Sequence, residues 1–223
     1  MRKLVLPILL SAIGQTTYAE PPHFKDHQAL YTYVAKTEGY IEAFSELDQP
    51  KSNVDITSIQ PALPTTIWGK ASIKEDGVII GSKRYAFLSA KDWPPSSATG
   101  PFKLDLQLTR VFLDQSGRRM CLQSSLGGNG GWARWRNIAV IEINAAGKPV
   151  IHKWSAMYAS CNGIFFKDKQ LVIGTLWHHH LSENDFTSMK LDLRNAWEGV
   201  LQARYELNLS TPGNAFDFVA FKK

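Results

Sequence analysis

The chain has 223 residues, with 25 Lys and Arg against 20 Asp and Glu and a formal net charge of +5. That balance is too mild for a nucleic-acid partner, and no run of five or six like charges offers a polybasic membrane patch. Its two cysteines, Cys121 and Cys161, lie too far apart for a CxxC redox or zinc motif.

Residues 1–19 open on the charged MRK, pass through the apolar LVLPILLSAIG and leave through QTTYA. This is the three-part pattern of a secretory signal peptide, with Thr17 and Ala19 at the two recognition positions before the cut. A transmembrane helix wants about 20 apolar residues, and Pro7 and Gln15 interrupt this run. No membrane insertion is therefore expected, and the mature chain is expected to start at Glu20 and to work in the periplasm or outside the cell. Without Arg2 and Lys3 it carries 23 basic and 20 acidic residues. Export puts both cysteines in an oxidising space, which predicts a Cys121–Cys161 disulfide. Closing a loop of roughly 40 residues is worth about 4 kcal/mol on the chain-entropy account.

Residues 20–64 read as a helical cap and connector. Phe24, Leu30, Tyr31 and Val34, then Tyr40, Ile41 and Phe44, recur at three- and four-residue steps. That spacing predicts an amphipathic N-terminal helix, broken into two pieces at Gly39. Its polar face mixes Lys25, Asp26, Lys36 and Glu38, which suits a cap over a sheet edge better than a membrane-surface helix. Between Asp48 and Pro64 the composition turns to Pro, Ser, Asn and Asp, as in a surface connector.

Residues 65–223 read as one β domain. Asp76-Gly77 marks a hairpin turn before a strand in VIIGSKRYAFLSA. In FKLDLQLTRVFL, Phe102, Leu104, Leu106 and Leu108 alternate with polar residues, predicting a half-buried strand. From Arg118 to Leu207 a unit of four strands is written twice. Met120-Cys121-Leu122 falls on Leu171-Val172-Ile173, and Gly147 falls on Gly199. The strand in VIIGSKRYAFLSA fits the second slot of the same unit as a degraded third copy, and NAFDFVAFKK closes the chain as a strand. The fold class expected is all-β: an antiparallel hairpin meander with propeller-blade-like repeats, or a β-sandwich.

In each copy the connection between the second and third strands is the long one: residues 91–101, 124–136 and 177–185. Equivalent copies would project these loops from one face. Trp93, Trp132, Arg134, Trp135, Arg136 and Trp177 would then share a recognition surface; the alternative is that the indoles fold back over the core. The GGNGG run lets the backbone approach a ligand closely, and Arg134 and Arg136 suit a carboxylate or phosphate. Neither a Walker loop nor a dinucleotide fingerprint is present. His178 and His180 would point the same way on a strand and suit zinc or copper, with Glu183, Asp185 or His152 as a third ligand. No other cofactor is implied, and no Gly-x-Ser-x-Gly elbow occurs.

The reading these features favour is an exported, non-catalytic binding protein that seats a protein partner in its Trp- and Arg-bearing loops, as an inhibitor or immunity protein does. A variant binds cell-wall glycan, with Trp132, Trp135 and Trp177 stacked on sugar faces. The enzyme alternative is a metal-dependent hydrolase using His178 and His180, with Glu183 or Asp185 as base.

Overall fold

The structure, a computed structural model, describes residues 20–47, 57–93, 102–125, 134–168, 170–178 and 186–223. The expected signal peptide, Trp132, His180, Glu183 and Asp185 lie outside the described residues.

The chain begins with strand β1 (His23–Phe24), helix α1 (His27–Glu38) and the short strands β2 (Ile41–Glu42) and β3 (Ser45–Glu46). Asp26 caps α1 by accepting from the Ala29 amide, and Leu30, Tyr31, Val34 and Ala35 make its buried stripe. Gly39 ends it in the left-handed conformation, φ 67°. The second helical piece expected after Gly39 does not form. Tyr40, Ala43 and Phe44 are buried there, but in a segment extended enough to pair with two different sheets. Ile41, which the helical spacing turned inward, is exposed instead, and the chain there pairs with sheet edges, which satisfies its backbone without a second helix.

After helix α2 (Thr65–Trp68) come β4 (Ala71–Lys74), β5 (Gly77–Ile80), β6 (Lys83–Ala86) and β7 (Lys91–Asp92). The chain continues through β8 (Thr109–Leu113), β9 (Arg119–Ser125), β10 (Trp135–Ile143) and β11 (Pro149–Met157). It ends with β12 (Ile164–Lys167), β13 (Gln170–Trp177), β14 (Ser188–Asn195), β15 (Leu201–Leu209) and β16 (Phe218–Lys222).

These strands form three sheets. The first is β4-β5-β6, the second β3-β8-β9-β10-β11-β7, and the third β1-β16-β15-β14-β13-β12-β2. Pairing is antiparallel except where β7 joins β11 in parallel. Two expected strands are corrected. VIIGSKRYAFLSA holds a hairpin, β5 and β6, rather than one strand, because Gly81 turns the chain at φ 62°. FKLDLQLTRVFL is strand only at its end, since Asp105 organises a turn. Its carboxylate accepts from the Gln107 amide, and its carbonyl accepts from the Thr109 hydroxyl.

Side-chain alternation decides how the sheets stack. On β9 and β10, Met120, Leu122, Ala139, Ile141 and Ile143 face the first sheet with Trp68, Ile73, Val78 and Phe87. Cys121, Ile138 and Val140 face the other way, with Trp154, Ile164, Leu171 and Ile173. The middle sheet is thus buried on both sides. Helix α1 covers the far face of the third sheet, where Leu30, Tyr31 and Val34 meet Val172, Leu191, Leu193, Tyr205 and Leu207. The order of layers is sheet, sheet, sheet, helix; a helix stands where a propeller ring would need another blade. Cys121 of β9 and Cys161, just before β12, form a disulfide across the seam between second and third sheets, Cα atoms 6.0 Å apart. Among the described residues no helix is long and apolar enough to cross a membrane.

Candidate binding site

The β9–β10 and β13–β14 connections leave their sheets at the same end of the stack, and their flanks touch. Arg134, at the start of β10, places its guanidinium 5.6 Å from the ring centre of Phe186, just before β14. His178, the first residue after β13, stacks on the same ring at 4.3 Å with 7° between planes. The middle and outer sheets are knit here by two of the three long loops. Of the third loop, residues 94–101 lie outside the described residues.

Tyr158 follows β11 at this end and carries φ 54°, a left-handed conformation that an aromatic residue rarely adopts. Such strain costs on the order of 1–3 kcal/mol and gathers at functional positions. Its amide donates to the Arg134 carbonyl at 2.7 Å. Its ring meets His27 edge-on at 4.9 Å and Phe216 at 5.8 Å. His27, in the first turn of α1, stacks on Phe216 and donates from Nε2 to the Ala215 carbonyl at 2.7 Å. Burial pulls the His27 pKa down to about 4, with Arg136 adding to the effect against the Ala215 bond and Asp26. The ring is therefore neutral at pH 7.

Arg136 lies on the face of β10 turned toward the third sheet, in register with Ser125 and Ala156. It is half-buried, its Nε is shielded from solvent, and that atom has no hydrogen-bond partner among the described residues. No ion pair to it occurs among the described residues either. Burial holds its pKa down, and the groups acting on it are Tyr31, Arg110 and Tyr158, none of them a carboxylate. Arg110 is itself held by Glu46 through two bonds.

Tyr31 packs from α1 onto the far face of the third sheet. Its hydroxyl is buried with no hydrogen-bond partner among the described residues, and burial raises its pKa above the ordinary tyrosine range while Arg136 opposes. It remains a donor at any physiological pH. The ring can lie there because Gly163 and Gly174 have no side chains. A Cβ on Gly163 would come 3.0 Å from Tyr31 Cζ, and one on Gly174 would come 3.3 Å from Tyr31 Cε1. Gly163→Ala is expected to cost about 1–3 kcal/mol in urea unfolding by overpacking, and to displace the Tyr31 ring.

The remaining candidates are distributed differently. Trp93 is 2% exposed. Its amide donates to the Lys153 carbonyl, which draws it into the core seam against Trp154 at 5.2 Å and Trp197 of the β14–β15 turn at 5.6 Å. It leaves the shared patch because β7 adds to the edge of the middle sheet, and it belongs to the core. Trp135 is half-buried at the loop end. Trp177 is half-buried, with Lys190 5.1 Å and Arg204 5.8 Å from its ring centre. Nearby Asp192 accepts from Arg204 at 2.6 and 2.9 Å and from Arg194 at 2.8 Å. Burial raises its carboxyl, but these bonds outweigh it and hold the group below the usual range.

His152 stacks on Trp93 at 4.9 Å, deep in the seam, away from His178 and the Phe186 ring. No group of three or more His, Cys, Asp or Glu side chains among the described residues could hold a metal ion.

Comparison with protein-family models, with curated proteins and with solved structures finds no match. Sequence reading did not single out His27, Tyr31, Tyr158 or Phe216. They come from three separate parts of the chain and carry no motif. The signal available was the MYAS stretch after β11, where a lone polar-tipped aromatic follows an alternating strand.

Proposed function

We propose that this chain is an exported, non-catalytic binding protein of the inhibitor or immunity kind, which holds a protein partner at the loop end of its stacked sheets. Arg134, Trp135, Arg136, Tyr158 and Phe216 form the described part of that surface. The observation that carries the reading is Arg136: a half-buried side chain whose Nε is shielded from water and has no hydrogen-bond partner among the described residues. An unpaired charge away from water is costly, and proteins retain one where a partner completes it. The strained Tyr158 beside it points the same way. The reading treats the two meanders as copies of one blade-like unit, so that equivalent loops emerge at one end. Trp93, a core residue, is no part of it. The disulfide fits a chain that works in an oxidising compartment.

The test is capture of a protein partner from the native organism on the immobilised protein, followed by affinity measurement with that partner. Removing a desolvated interfacial charge typically costs 2–5 kcal/mol. Arg134→Gln with Arg136→Gln should thus weaken the complex by about a hundredfold or more, while the melting temperature moves little. A large fall in melting temperature with unchanged affinity would assign both arginines to the fold and overturn the reading.

A further inference from the structure

We infer that the open face of the third sheet, between Trp177 and Trp197, binds a chain of carboxylate-bearing sugars. This goes beyond the partner surface at the loop end and does not rest on it. The middle sheet packs against only part of the third. Ile164, Leu171 and Ile173 of β12 and β13, with Ala196, enter the seam; among the described residues none of β14, β15 or β16 joins that core. On β14 and β15, Met189, Leu191, Leu193, Ala203, Tyr205 and Leu207 turn toward α1. Their neighbours Lys190, Arg194, Arg204 and Glu206 therefore stand on the opposite face, where they are part-exposed.

Both indoles belong to this face. Trp177 pairs with Lys190 in register, and its ring centre lies 5.1 Å from the Lys190 ammonium and 5.8 Å from the Arg204 guanidinium. Trp197, in the turn after β14, is 49% exposed and meets Trp93 and His152 of the seam edge-on at 5.6 and 4.7 Å. Along β14 the two are separated by roughly 20 Å at the rise of an extended strand, which leaves room for several sugar rings. Between them Asp192 clamps two guanidinium groups. Arg204 donates to it twice, and Arg194 donates once to it and once to the Gly199 carbonyl. A guanidinium carries more donors than these, so each arginine keeps some for a ligand while its position is fixed in advance.

Charge selects the occupant. Lys190, Arg194 and Arg204 outnumber Asp192, and Glu206 is met by Lys223 at 2.8 Å, so the face is net positive and suits an anion. A protein interface has an apolar centre and a polar rim. Here the charges lie in the middle and the indoles at the ends. That order fits a sugar chain, with rings stacked on tryptophan and carboxylates held by arginine. The carboxylates of Asp192 and Glu206 on the same face count against a continuous phosphate backbone.

The probes are tetragalacturonate, neutral chitotetraose and oligothymidylate, each titrated calorimetrically into the purified protein. NMR shifts of backbone amides and of arginine Nε–Hε groups locate the site. Tetragalacturonate should bind saturably, more weakly as salt rises, and should shift β14, β15 and the Arg194 and Arg204 side chains. Trp197→Ala should weaken it about tenfold, and the wild-type shift map decides the site even if that variant loses its fold. No saturable binding of tetragalacturonate, equal affinity for chitotetraose, tighter binding of oligothymidylate, or shifts confined to the loop end would each overturn the proposal. So would unchanged affinity in a folded Trp197→Ala.

Discussion

Replacing Cys121 and Cys161 together by Ala is expected to lower the free energy of unfolding by about 4 kcal/mol. The bond spans 40 residues of sequence, and most of its effect is the chain freedom it removes from the unfolded state. Its location adds a consequence that loop length alone does not supply. Cys121 lies in β9 of the middle sheet and Cys161 in the turn leading to β12 of the third. The link therefore crosses the seam between the two sheets. Gln123 supports it from two residues away, its side-chain oxygen accepting from the Cys161 amide at 3.0 Å and from the Ser160 hydroxyl at 3.1 Å. Without the link, the seam is held by apolar packing among residues such as Ile138, Val140, Ile164 and Ile173. The double variant, followed by guanidinium unfolding, should show the lower stability together with faster amide exchange in β12. A loss under about 1 kcal/mol would mean that the unfolded chain is already compact between these positions.

Stability is also expected to fall steeply as pH drops from about 6.5 to 4, by up to about 3 kcal/mol for each of two histidines. Burial lowers both His27 and His152 to about 4; at His152 the Lys91 ammonium adds to the effect and Glu142 opposes it. Below pH 6.5 the unfolded chain takes up these protons while the folded chain does not until about pH 4, so acid favours unfolding. The loss is complete only below pH 4, where both states are protonated. Glu38 and Asp192 have lowered carboxyls, and their contribution is lost at still lower pH, which separates the two effects. His152→Phe keeps the stack on Trp93 and should remove close to half of the slope between pH 6.5 and 4. Urea unfolding measured at half-unit steps checks this, and a flat profile between pH 7 and 5 would contradict the neutral, buried state of both rings.

His27 is held neutral by burial, and Arg136 adds to the effect, so protonating His27 would set two like charges against each other. Partner binding through Arg136 is accordingly expected to be retained at pH 7 and to be insensitive to small changes around it.

Much of the strand pattern could be read from residue order. Alternation along Arg119–Ser125, Trp135–Ile143 and Leu201–Leu209 is a local property of extended chain, since successive side chains must point to opposite faces. The prediction failed where a turn interrupted the alternation, as at Asp105 and Gly81. The site was less legible. Arg134 and Arg136 stood out beside the glycine run, but Tyr31 and His27 reach the same end only because α1 lies across the third sheet. Trp93 looked like a loop residue and is a core residue, because two residues of β7 pair with β11.

Residue order by itself settled the strands of the doubled unit and their turns, because alternation, glycine turns and capping act between near neighbours in the chain. Only the tertiary structure decided that the middle sheet is buried on both faces, that a helix covers the third sheet, and that Arg136 comes within electrostatic reach of Tyr31, His27 and Tyr158. Those contacts depend on which sheet faces pack together, and packing is settled by apolar area summed over the whole molecule rather than by any one segment.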